Sequence, residues 1–130
     1  MDGPDVLWRP RLLAFLLLFF ALMVALGALP GEAESLSARF GDKLLHALAY
    51  GMMATICFYV PRTSAAIRVV FTLGVIALLG LADESIQSLL PYRNASLSDW
   101  WFDIGTAAIV ASVLALLSRI NPSMESHAKN

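Results

Sequence analysis

The residues able to do chemistry in this chain gather in two short stretches. GDKLLHALAYG, residues 41–51, places Asp42, Lys43, His46 and Tyr50 at the edge of an apolar segment. GLADESIQSLLPYRNASLSDWWFDIG, residues 80–105, adds Asp83, Glu84, Gln87, Arg93, Ser96, Asp99 and Asp103. An imidazole titrates near neutrality, so His46 is the candidate to move protons. Asp42, one turn earlier, is the candidate to orient it, and Glu84 the candidate general acid. Lys43 and Arg93 suit a phosphate or carboxylate, the arginine as a two-pronged fork. Tyr50, Asp83, Gln87, Ser96, Asp99 and Asp103 offer hydrogen bonds to hydroxyls and amides. No hydroxyl stands out as a nucleophile, although Ser96 is close by. A metal is the lesser alternative: His46 with Asp42, Glu84, Asp99 or Asp103 gives a His–carboxylate set. The residues do not identify a cofactor.

These groups must be positioned by apolar elements. The 130-residue chain is 58% hydrophobic and 15% charged, too apolar for an ordinary soluble domain. A net charge of −1 gives no reason to expect a nucleic-acid partner. Cys57 is the single cysteine, so no intrachain disulfide forms. Four apolar runs, at about 12–29, 44–60, 67–90 and 97–117, predict transmembrane helices of roughly 20 residues each. Pro30, Pro61 and Pro91 mark three of the boundaries. The first run has a rival reading as a cleaved signal peptide, because Arg9 and Arg11 precede it and small residues follow. It exceeds the usual length of a signal core, which favours a retained anchor.

Basic residues near the span ends set the expected orientation. Arg9, Arg11, Arg62, Arg68, Arg119 and Lys129 fall on one side, against Arg39, Lys43 and Arg93 on the other. The expectation is an all-α bundle of four spans with both termini and the 61–66 loop in the cytoplasm. Segment 30–43 and loop 91–96 then face outward. The polar tail 121–130, with His127, is expected to be disordered in the cytoplasm.

This arrangement brings the polar residues to one membrane level. Asp42 and His46 start the second span, Asp83, Glu84 and Gln87 end the third, and Asp99 and Asp103 start the fourth. Steps of three and four put Asp42, His46 and Tyr50 on one helix face, Glu84 and Gln87 on another, and Ser96, Asp99, Asp103 and Thr106 on a third. Glu84 lies about 10 Å along its helix from Pro91, at 1.5 Å per residue. An acid at the bilayer centre costs roughly 2.5–3.5 kcal/mol, so such residues face a protein interior and take partners. Tyr92, Trp100 and Trp101 are expected in an interfacial aromatic belt. Ala107, Ala111 and Ala115 suit close helix packing. The Asn94-Ala95-Ser96 sequon sits too near the membrane to be read as a glycan site.

Read together, the two stretches resemble the VanZ-like membrane proteins. The family pattern is roughly D-K-x-x-H-x-x-x-Y in one span, then D-E-x-x-Q-x-x-x-P-x-R, a Ser, and D-x-x-x-N/D at the next helix start. It maps onto Asp42, Lys43, His46, Tyr50, Asp83, Glu84, Gln87, Pro91, Arg93, Ser96, Asp99 and Asp103, about half the chain. One departure is Thr106, where the family usually has Gly; Gly105 comes one residue earlier. The family is named for a protein that raises bacterial resistance to the glycopeptide teicoplanin. The resemblance implies a multi-pass protein of the bacterial plasma membrane, a VanZ-like domain over 1–120, and a link to the cell envelope. It supplies no reaction. Three functions remain: a site for the head group of an envelope lipid, precursor or glycolipid, an intramembrane acid–base enzyme acting on such a lipid, and, last, a proton-coupled transporter.

Overall fold

The computed structural model describes residues 8–123 and Ser126. Among these the chain forms five helices: α1 (Pro10–Ala28), α2 (Glu32–Phe40), α3 (Asp42–Tyr59), α4 (Ala65–Ser88) and α5 (Leu97–Ile120). Three of them, α1, α4 and α5, are long and apolar enough to cross a membrane, which marks a membrane protein. The other long helix, α3, has 18 residues, about 27 Å at 1.5 Å per residue. Asp42, Lys43 and His46 in its first turns make it more polar than the other long helices.

Local sequence explains the boundaries. Pro10 opens α1, where its missing N–H costs no helical bond. Gly31 (φ 82°) and Gly41 (φ 84°) flank α2, at backbone angles that residues with a Cβ rarely adopt. These two glycines fold segment 30–43 into a short helix that was not expected there. Its sequence, EAESLSARF, puts Ala33, Leu36, Ser37 and Phe40 at helical spacing. Elsewhere the helices shift modestly from the expected spans. Leu89 and Leu90 leave α4 for the turn before Pro91, and α5 runs three residues further, to Ile120.

The centre is built from α3, α4 and α5, with α1 laid against it. Tyr50, Met53, Ala54, Cys57, Ile76 and Ala107 form the core, joined by Leu16 from α1. Leu16 is the one fully buried residue of α1, while Phe15, Leu17, Leu18, Leu22 and Leu26 are exposed. An apolar surface of that kind belongs against lipid. Close approach of α4 and α5 depends on Gly80: a Cβ there would stand 3.0 Å from Trp100 Cδ1. Trp100 fills the space and donates from Nε1 to the Ala77 carbonyl at 2.9 Å. Tyr92 donates its hydroxyl to the Ala28 carbonyl at the end of α1. Trp100 and Tyr92 are half-buried and tie helices together, while Trp101 is largely exposed, at 64%. The expected small-residue packing is present at Ala107 and Ala111, both fully buried. His127 and Lys129, and most of the expected tail, lie outside the described residues.

Candidate functional site

The first turns of α3 and α5 and the last turns of α4 meet at one end of the bundle. Each predicted polar residue is found there, yet they divide into two groups with different surroundings.

The first group is a strut between helices. His46 on α3 and Asp103 on α5 are both buried, with Nδ1 and Oδ1 2.9 Å apart. Their hydrogen bond joins α3 to α5 at this end of the bundle. Lys43 donates to Asp99 Oδ1 at 2.5 Å and lies over the Phe102 ring, 5.0 Å from its centroid. Glu84 on α4 accepts the Ser96 backbone N–H at 2.6 Å, one of the free donors at the start of α5. Ser96 thus serves through its backbone. Two buried acceptors in this group, Glu84 Oε1 and Asp103 Oδ2, have no partner among the described residues.

The second group is the wall of a cleft of about 210 Å³. Asp42, His46, Tyr50, Asp83, Gln87 and Arg93 supply its polar side. Tyr50 donates to Asp83 Oδ2 at 3.1 Å, and its ring stacks on His46 with centroids 5.8 Å apart. Arg93 donates from Nη2 to Gln87 Oε1 at 3.1 Å, while its buried Nε has no partner among the described residues. The opposite side is apolar: Met23, Val24 and Gly27 from α1, with Ala33 and Leu36 from α2. Such a cavity, mostly apolar with a few convergent polar groups, fits a molecule with a polar head and a hydrocarbon body.

Three assignments change in space. Asp42 is not the group that orients His46; its Oδ2 is 4.0 Å from Nε2, and Asp103 holds the ring instead. The reason is packing: α5 meets the His46 face directly, whereas Asp42 sits half-exposed on the first turn and accepts from Ser37 Oγ at 3.1 Å. Glu84 is tied to the start of α5 and does not line the cleft. Lys43 is engaged by Asp99, which leaves Arg93 as the cation on the cleft wall. The apolar wall from α1 and α2 was missed. Its signal was present in the helical spacing of Ala33, Leu36 and Phe40, but segment 30–43 was read only as a connection.

No family model, no curated protein and no solved structure matches the chain.

Proposed function

We propose that this chain is a VanZ-like multi-pass protein of the bacterial plasma membrane that binds the polar head of an envelope lipid, precursor or glycolipid. In this reading α1, α3, α4 and α5 all cross the bilayer, both termini lie in the cytoplasm, and the cleft faces outward. The observation that carries it is the two-sided cleft. Arg93 and Gln87 meet a head group, while Met23, Val24 and Leu36 meet its hydrocarbon. A protein binding only a water-soluble anion has no need of that apolar wall. The preponderance of basic residues at the opposite end of the bundle supports the orientation.

The test is the lipid that stays with the protein. Purified in native nanodiscs, wild type retains an envelope lipid that Arg93→Ala loses, read by mass spectrometry. If both forms carry the same bulk lipids, the head-group reading fails. A cysteine at position 94 that reacts only from the cytoplasm would overturn the orientation. Expression in a susceptible bacterium shows whether the resemblance extends to teicoplanin tolerance.

A second reading, an intramembrane acid–base enzyme, is favoured by the His46–Asp103 pair, since a buried carboxylate behind an imidazole fixes its tautomer. It requires turnover of an envelope lipid by the purified protein, lost in His46→Ala with the fold retained.

A further inference from the structure

We infer that Asp42, His46 and Asp99 form a binding site for a divalent transition-metal cation such as Zn²⁺ or Mn²⁺. One ligand atom from each residue lies within 4.8 Å of the others. Atoms bound to one ion at roughly 2.0–2.2 Å stand up to about 4.4 Å apart. The set has to tighten by a few tenths of an ångström, and Asp42, whose side chain is 47% exposed, is the least confined of the three.

The imidazole carries the argument. Nδ1 is taken up by Asp103 Oδ1 at 2.9 Å, which turns the other ring nitrogen, Nε2, toward Asp42. The His46 side chain is nine-tenths buried, and Nε2 makes no hydrogen bond to a described residue. It faces Asp42 Oδ2 at 4.0 Å, a separation that a single metal ion between the two atoms would span. A carboxylate behind a histidine is also the arrangement that fixes a metal-bound ring and raises its basicity.

Charge balance points the same way. Asp42, Asp83, Glu84, Asp99 and Asp103 bring five acidic side chains to this end of the bundle, where Lys43 and Arg93 are the basic ones among the site residues. A metal cation held there would relieve the repulsion among the acids. Lys43 shows that Asp99 already attracts a cation, at 2.5 Å; the lysine is 53% exposed and free to swing aside. One imidazole with two carboxylates suits Zn²⁺ or Mn²⁺ over Ca²⁺ or Mg²⁺, which prefer all-oxygen sets.

The experiment uses the full chain without a histidine tag, purified without chelator, with Zn²⁺ alone as the probe and no lipid ligand added. It is therefore independent of the head-group reading. His127→Ala serves as the background, to remove the other histidine. The expected result is one Zn²⁺ per chain by calorimetry and elemental analysis. Asp103→Asn weakens binding by about 10- to 100-fold, the usual effect of changing the partner of a ligating histidine. His46→Ala loses more than that. Asp42→Asn, at an exposed position that leaves the core intact, also loses affinity and covers the case in which His46→Ala does not fold. Lys43→Ala binds more tightly, because Asp99 is released. Equal binding by wild type, His46→Ala and Asp42→Asn, no binding by wild type, or weaker binding by Lys43→Ala would each overturn the site.

Discussion

The two ends of the bundle handle charge in opposite ways. At one end Asp42, Asp83, Glu84, Asp99 and Asp103 gather; at the other Arg9, Arg62 and Arg68 do. The arginines act as fasteners. Arg9 donates to the Tyr59 carbonyl at 2.6 Å, and Arg68, only 1% exposed, lies 5.5 Å from the Phe58 ring centroid. Burial, then the neighbouring Arg62 and Arg68, lowers the Arg9 pKa from its ordinary value. Long side chains can lay their stems on apolar surface and still bring the charge to a ring or carbonyl. Aspartate and glutamate are short and stay where the backbone puts them. The acidic end holds two buried acceptors, Glu84 Oε1 and Asp103 Oδ2, without a partner among the described residues, while at the other end Arg62 Nε is a buried donor without one. On the proposed function, the arginine end locks the fold and the acidic end takes the ligand.

The sharpest way to break this contrast is Asp103→Ala. Removing one member of a buried pair costs about 3–5 kcal/mol, so unfolding in detergent should shift by that amount. A change near zero would show that the strut contributes nothing to the fold. Arg68→Met comes next, with a loss of about 2 kcal/mol, the scale of a desolvated cation–π contact. It should leave lipid retention and Zn²⁺ binding at wild-type levels, and a loss of either would erase the division of labour. The smallest effect belongs to Tyr50→Phe. Losing a hydrogen bond to a charged group costs about 1.5 kcal/mol. Unlike Arg68→Met, it should also reduce the lipid retained, because Tyr50 stands on the cleft wall.

Helical periodicity with proline and glycine boundaries was enough to place the long helices within a few residues. The convergence of Asp42, His46, Glu84, Asp99 and Asp103 at one level was also legible, because antiparallel helices with short connections leave few other arrangements. Pairing was not. Asp42 and Asp103 are equally plausible partners for His46 by spacing, and only the rotation of α5 about its axis decides between them. That rotation depends on the fit of Trp100 against Gly80, a tertiary contact with no local signature. The cleft was hidden for another reason. Its apolar wall comes from α1 and α2, and in so apolar a chain Met23 or Val24 looks no different from a lipid-facing residue.

One consequence concerns α1. It is pinned at its start by the Arg9 N–H on the Val60 carbonyl and at its end by Tyr92 on Ala28, with Leu16 alone fully buried between. A cleft wall held at both ends and lightly packed in the middle can bow outward toward the lipid without unfolding anything. If the proposed function holds, that looseness sets how quickly an amphiphile enters or leaves sideways from the bilayer, while the polar wall sets how tightly it stays. Packing along α1 and chemistry along α3 and α4 would then be separate handles, one on residence time and the other on selectivity.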